Sequence, residues 1–166
     1  MDPDSTTSAK QKFPALGYFA IIVISLLLAL MLVPGDWYLG ANKPVWAPAG
    51  GFLSILWAGS CMLLALTAWQ IQHSIGFTGR WVIFNFVLAI LMYWAWWWLF
   101  FGLHRIGWSI AVQTLAVLVT ATLLLPGHRS KSFGRWLLLL WAGYLWLLNY
   151  SVWVLNGGGF GGGRGL

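Results

Sequence analysis

The sequence predicts an all-α membrane protein, folded as a bundle of five transmembrane helices. Two observations predict this class: charged residues make up 7% of the chain and hydrophobic residues 60%, and the apolar residues fall into five long runs. A soluble domain needs about 25% charged residues to cover its surface. Because the runs are continuous rather than alternating, strands are not expected, and an open sheet edge has no hydrogen-bond partner in lipid.

Each apolar run is close to the roughly 20 residues with which a helix crosses a bilayer. They form one domain, residues 14–156, between a polar N-terminal tail (residues 1–13) and a glycine-rich tail (residues 157–166) that we expect to be flexible. The first run is too long for a signal-peptide core and lacks a small-residue cleavage site, so we expect it to be retained. The predicted helices are residues 14–33, 52–71, 81–101, 108–125 and 136–155.

The first connection, residues 34–51, is the longest, and it is rich in aromatic residues and prolines. Such a composition is unusual for a solvated loop, so we predict that the segment folds back over the mouth of the bundle. The third connection, residues 102–107, is short and therefore makes the third and fourth helices antiparallel neighbours.

Basic residues are distributed unequally between the two ends of the predicted helices. The positive-inside rule then predicts a cytoplasmic N-terminus and an external first loop. The net charge of +6 comes from residues scattered singly, which excludes a nucleic-acid surface and suits anionic lipid headgroups. The N-terminal side carries Lys10, Lys12, Arg80, Arg129, Lys131 and Arg135, and the other side carries Lys43, Arg105 and Arg164.

The chain offers few groups for acid–base or metal chemistry. The three acidic residues lie outside the predicted helices, so no carboxylate pair is available for hydrolytic or two-metal chemistry. The histidines lie in or beside loops without metal-ligand spacing, although His73 or His104 near an interface is an alternative ligand for a tetrapyrrole metal. We therefore predict no enzymatic activity, no metal site and no covalent cofactor.

Tryptophan is the most distinctive residue type, with 14 copies. Those at helix starts, such as Trp81, Trp108 and Trp136, fit an interfacial belt. Indole rings inside a bundle suit a large flat apolar ligand, with the N–H as an orienting donor, so a porphyrin, a carotenoid or a sterol fits as well as simple core packing. Gln113 and Asn149 lie within predicted helices, and each needs an interhelical or ligand partner.

Four indoles cluster in the third predicted helix. Trp94, Trp97 and Trp98 share a stripe with Phe101, whereas Trp96 lies off that stripe. At about 100° per residue these side chains cannot all face one pocket. We predict that one surface faces the bundle and the other contacts a second protein, either another copy or a larger membrane complex.

Four motifs in order carry a resemblance to a known family. The first loop and second helix read Trp37-Tyr38, then Lys43-Pro44-Val45-Trp46-Ala47-Pro48, then Trp57. This closely resembles the first-loop signature of the translocator protein and tryptophan-rich sensory protein family (TspO/MBR). The later matches are Trp94-Ala95-Trp96 with Phe100-Phe101-Gly102, then Gly107-Trp108, and finally Trp141 with Leu148-Asn149-Tyr150, Trp153 and Asn156.

The resemblance implies a five-helix bundle, often a homodimer, whose first loop covers a pocket between the helices. Members of the family bind porphyrins, so the implied function is a tetrapyrrole-binding sensor, regulator or carrier in the bacterial inner membrane. The alternative is a non-catalytic subunit of a larger, pigment-bearing photosynthetic complex, and a porphyrin-modifying enzyme is less favoured. By position, the pocket would use Trp46, Trp57, Trp108, Trp141 and Asn149, with Trp37 and Pro44 shaping the lid.

The chain also departs from the family pattern. Two of the departures place indoles where the family has a proline pair, which would fill the pocket or build a new contact surface. The basic residue of the family's sterol motif is absent, so sterol recognition of that kind is not expected. The departures are Ala49, Ser60-Cys61, Tyr93, Trp97-Trp98, Val112, Leu137 and Val154.

Overall fold

A computed structural model describes residues 4–31, 34–75, 79–124 and 133–159, and within these ranges the chain is helical without a strand. The all-α class is therefore confirmed. The helices are α1 (Asp4–Met31), α2 (Asp36–Gly40), α3 (Gly50–Ile75), α4 (Gly79–Trp97), a π-helix (Trp98–Gly102), α5 (Ile106–Leu124) and α6 (Phe133–Leu155).

The described residues contain six α-helices rather than the predicted five, because the first loop holds the short helix α2. The five predicted helices correspond to α1, α3, α4 with the π-helix, α5 and α6. Helix α1 begins at Asp4, well before the predicted start at residue 14. Hydropathy marks the point where a helix enters lipid, whereas the helical backbone continues through polar residues that have adequate helix propensity.

Three helices contain segments long and apolar enough to cross a membrane: Gly50–Ile71, Ile83–Gly102 and Trp136–Leu155. Two further apolar segments, Leu16–Met31 and Ile106–Thr122, are shorter. Their outward faces carry large exposed apolar side chains, including Leu30, Phe84 and Leu140. Such a surface suits contact with lipid. Three of the charges used for the orientation, Arg129, Lys131 and Arg164, and most of the loop at residues 126–135 lie outside the described residues, so the orientation stays a prediction.

Helix α3 connects α1 to the rest of the bundle. It packs against α1, α4 and α6, and further contacts between α4 and α5 and between α5 and α6 close a ring of four helices, with α1 outside it. Small buried residues on α3, Ala58, Ala65 and Ala68, allow its neighbours to approach closely. The ring thus has an interior bounded by α3, α4, α5 and α6.

The start of α3 provides a paired test of close packing. A Cβ added at Gly50 would lie 2.9 Å from Pro34 Cβ and 3.0 Å from the Pro34 carbonyl oxygen, whereas one added at Gly51 meets nothing within 4 Å. We expect Gly50→Ala to lower the free energy of unfolding by about 1–3 kcal/mol. Gly51→Ala should leave it unchanged or raise it by no more than about 1 kcal/mol. Thermal unfolding in detergent measures both, and equal effects would contradict the close contact.

Candidate functional site

The first loop, residues 34–49, folds over the end of the bundle where α3 and α5 begin and α6 ends; we call it the lid. Its central side chain is Tyr38, which is buried and donates a hydrogen bond to the Pro48 carbonyl at 3.1 Å. The Lys43 ammonium donates to the carbonyls of Tyr38, Leu39 and Ala41 and lies 4.8 Å from the Tyr38 ring centroid. A cation here satisfies carbonyl groups at the end of α2 and interacts favourably with the dipole of that helix.

Burial, with a smaller contribution from Tyr144, raises the pKa of Tyr38 to about 12. The hydroxyl therefore stays protonated at neutral pH and remains the donor to Pro48. The hydrogen bond between Tyr38 and Pro48 therefore persists throughout the physiological pH range.

The lid is also tied to the end of α6 by Asn42 and Asn156, a pair we call the clasp. The Asn42 backbone N–H donates to Asn156 Oδ1 at 3.1 Å, and Asn156 Nδ2 donates back to the Asn42 carbonyl at 2.9 Å. Asn156 Nδ2 also donates to the Val152 carbonyl at 2.7 Å, which holds the side chain in place. These two hydrogen bonds resemble those between paired β-strands, with the Asn156 carboxamide in the place of a peptide group. Asn156 therefore binds the backbone of Asn42 rather than its side chain.

Below the lid, stacked aromatic rings fill the space between α3 and α4; we call them the lid-end cluster. Trp57 stacks on Trp97 with ring centroids 4.6 Å apart and an interplanar angle of 24°. The ring centroids of Trp97 and Phe101 are 4.4 Å apart, and Trp96 stacks on Phe100 with ring centroids 5.7 Å apart. The five aromatic side chains are buried, and they form one continuous wall inside the ring of helices.

Trp37 connects the lid to this cluster. Its ring lies edge-on to Phe100 at 5.5 Å and stacks on His104 at 4.5 Å with an interplanar angle of 15°. His104 has a φ of 55°, an uncommon left-handed conformation for a residue other than glycine. That backbone turn ends the π-helix and places the imidazole against the lid.

A second aromatic group joins the lid to the side of α6. Trp46 contacts Tyr144 edge-on at 5.6 Å, and the Tyr144 hydroxyl donates to the Trp46 carbonyl at 3.4 Å. Trp141 stacks on Tyr144 at 5.0 Å. The lid thus has two contacts with α6, one at the clasp and one at Tyr144.

Buried polar groups complete the interior. Ser109 on α5 donates to Asn149 Oδ1 on α6 at 3.0 Å, and both side chains are fully buried. Several other buried polar atoms have no hydrogen-bond partner among the described residues, an arrangement that costs about 1–3 kcal/mol per group and calls for an explanation. They include Asn149 Nδ2, both polar atoms of Gln113, and the indole N–H groups of Trp57, Trp96, Trp97 and Trp141.

Comparison with known proteins identifies the family of this chain. The sequence model of the TspO/MBR family matches residues 13–154. The chain belongs to the TspO/MBR family. The predicted resemblance is therefore confirmed, and with its apolar helices the chain is an integral membrane protein of this family.

Relatives of the TspO/MBR chain occur in animals and bacteria. It is 29% identical over 160 residues to the Translocator protein of Sus scrofa, covering 91% of this chain and 95% of the relative. It is 27% identical over 152 residues to Protein CrtK of Rhodobacter capsulatus, covering 85% and 91%. It is 26% identical over 131 residues to the Tryptophan-rich protein TspO of Bacillus cereus, covering 76% and 86%.

The TspO/MBR bundle brings most of the predicted pocket residues to the lid end or the ring interior, but not into one contact group. Trp57 belongs to the lid-end cluster, Trp37 contacts that cluster from the lid, and Trp46 and Trp141 belong to the group around Tyr144. Asn149 lies at the seam of α5 and α6. Pro44 is half-buried in the lid, whereas Trp108 is 56% exposed.

The tryptophans of the third predicted helix are placed differently from the predicted stripe. The interior stripe contains Trp96 and Trp97, at 0% and 1% exposure, while Trp98 is 51% exposed. The half-buried Trp94 donates to the Ser25 hydroxyl on α1 at 3.0 Å, a contact that the sequence did not indicate. The partner interface stays a prediction, and within the described chain Trp98 is the member of the four that faces outward most.

The clasp, Lys43 and Ser109 are site residues that sequence reasoning missed. Lys43 belongs to the Lys-Pro motif and Asn156 to the final motif, but neither motif indicates what these side chains bind. Their partners are a backbone group and carbonyl oxygens, which carry no residue-type signal. Ser109 directly follows Trp108, and its spacing of four residues from Gln113 was the available clue to a shared buried face.

Proposed function

We propose that the protein binds a flat tetrapyrrole of the porphyrin type between α3, α4, α5 and α6, acting as a sensor, regulator or carrier. The observation that supports this most is a set of buried indole N–H and carboxamide groups beneath the lid that have no partner in the part of the chain that the structure describes. A ligand with nitrogen or oxygen acceptors would satisfy these donors, and stacked indole faces would contact its plane.

The chemical character of the interior favours binding over catalysis. Besides the hydroxyls of buried tyrosines and the Cys61 thiol, the buried polar side chains of the described residues are Ser, Thr, Asn and Gln. These groups orient a ligand but do not exchange protons at neutral pH. We therefore propose a non-enzymatic protein with no covalent cofactor, in which a bound porphyrin, carotenoid or lipid is held by shape and hydrogen bonds.

The membrane topology is part of the proposal. We infer five spanning helices, with α1 and α5 crossing together with the three longer apolar segments. Helix α5 has 19 residues, a length of about 28 Å at 1.5 Å per residue, close to the thickness of the hydrocarbon core. The N-terminus is proposed to lie in the cytoplasm of a bacterium and the lid outside the inner membrane.

A porphyrin titration tests this proposal. In detergent-purified protein, saturable and stoichiometric quenching of tryptophan fluorescence with a Soret shift is the expected result. Trp46→Ala removes the ring that joins the lid to Tyr144, so affinity should fall about tenfold, or about 1.4 kcal/mol. The matched control is Trp136→Ala, since Trp136 is 68% exposed at the start of α6. Absence of saturable binding, or equal dissociation constants for both variants, would count against the site.

A second candidate function is a non-catalytic subunit of a larger membrane assembly, or a homodimer. The exposed indole of Trp98 favours it, because such a ring beside the π-helix presents a large apolar face outward. Protein CrtK of Rhodobacter capsulatus is among the relatives, and a photosynthetic assembly is one candidate partner. Co-purification with a large complex from native membranes, without porphyrin binding, would favour this second function.

A further inference from the structure

We propose that Gln113 determines ligand specificity and that the ring interior recognises a lactam, a ring N–H next to a C=O. The preferred ligand is then an open-chain tetrapyrrole, whose terminal rings are lactams, rather than a closed macrocycle. This inference rests on the proposed function, since it starts from tetrapyrrole binding between the helices, and it ranks an open-chain ligand above the porphyrin type named there.

The first step is that three helices place unpartnered polar groups at one depth. Trp57, Gln113 and Asn149 are seven, seven and six residues from the lid ends of their helices, at Gly50, Ile106 and Leu155. At 1.5 Å per residue each lies about 10 Å below the lid end. These three helix ends lie together at the lid. The lid leads directly into α3, contacts the π-helix that precedes α5 through Tyr38 and Phe101, and is joined to the end of α6 by the clasp.

The second step concerns the hydrogen-bonding character of this level. Trp57 offers an N–H donor, as does Trp97, whose ring stacks on it. Asn149 offers Nδ2, because its Oδ1 accepts a hydrogen bond from Ser109. Gln113 differs from these groups, since neither its Nε2 donor nor its Oε1 acceptor has a partner among the described residues. A ligand group that satisfies Gln113 must therefore donate and accept at adjacent atoms.

The third step selects the lactam among tetrapyrrole groups. A cis lactam pairs with a carboxamide through two parallel hydrogen bonds. The lactam N–H donates to Gln113 Oε1, and the lactam C=O accepts from Gln113 Nε2. A closed macrocycle holds its N–H groups at its centre and presents C–H and alkyl groups at its edge. An ionised propionate accepts but does not donate, and burying its charge beside uncharged groups is costly. The lactam edge of an open-chain tetrapyrrole is the better match.

The experiment compares two ligands that carry the same peripheral substituents, biliverdin (open-chain) and metal-free protoporphyrin (closed), with the full-length protein in detergent. Wild type is expected to bind biliverdin at least about tenfold more tightly. Gln113→Leu should weaken biliverdin binding about tenfold or more while changing protoporphyrin binding by less than about twofold. Gln70→Leu makes the same chemical change at an exposed position of α3 and should alter neither constant.

The outcomes separate this inference from the proposed function. Equal or tighter protoporphyrin binding by wild type, or a Gln113→Leu change that weakens both ligands alike or neither, overturns the lactam assignment and leaves a tetrapyrrole site in place. If neither ligand binds wild type, the proposed function fails as well. Thermal unfolding of each variant verifies the fold. If Gln113→Leu does not fold, Gln113→Met, which is unbranched and close in length, replaces it.

Discussion

Replacement of Trp97 by alanine is expected to lower the free energy of unfolding by about 3–5 kcal/mol, the usual cost of removing a large aromatic side chain from a core. Trp97 is 1% exposed, stacks on Trp57 and contacts Phe101 at 4.4 Å. The change therefore removes a ring contact between α3 and the end of α4. Thermal or denaturant unfolding in detergent micelles, followed by near-ultraviolet circular dichroism, measures the loss.

The adjacent residue is the matched control. Trp98 is 51% exposed, and its ring packs beside Gly102, where an added Cβ would lie 3.3 Å from Trp98 Cδ2. Trp98→Ala should cost no more than about 1 kcal/mol, because a side chain that faces lipid loses few protein contacts. If the two variants were equally destabilised, the placement of Trp97 inside and Trp98 outside would be wrong.

Breaking the clasp is expected to open the lid. Asn156→Leu removes both hydrogen bonds to the Asn42 backbone, at 3.1 and 2.9 Å, and so leaves the Asn42 N–H to exchange with water. Amide hydrogen exchange at Asn42 should accelerate about tenfold or more, which corresponds to a loss of about 1.4 kcal/mol of local stability. Exchange measured by mass spectrometry on lid peptides checks this result, and the porphyrin off-rate should rise with it.

Asn42→Ala is the control for the clasp. It retains the backbone N–H and C=O that Asn156 binds and loses only the long side-chain contact to the Leu155 carbonyl at 3.5 Å. Lid exchange should stay close to wild type in this variant. A loss of protection as large as that of Asn156→Leu would show that the side chain of Asn42, rather than its backbone, holds the lid.

Parts of the candidate site were predictable because they depend on residue type. Asn149 was expected to need a partner within the membrane, and Ser109 supplies one for its Oδ1. Indole rings were expected inside the bundle, and Trp57 is fully buried. Burial of Trp108 does not follow from the motif match, since its side chain is 56% exposed, and its role in the pocket stays a prediction.

The sequence by itself determined the helical membrane class and the family. Lipid offers the backbone no hydrogen-bond partners, so long continuous apolar runs have few structural alternatives to a helix, and the spacing of the Trp-Tyr, Lys-Pro and Leu-Asn-Tyr motifs is local information. The tertiary structure alone decided which indoles face inward. Trp97 and Trp98 are identical neighbours in sequence, and they differ because the ring of Trp57, from another helix, covers one of them. It also decided the clasp, which joins residues 114 positions apart through backbone atoms that no residue pattern encodes.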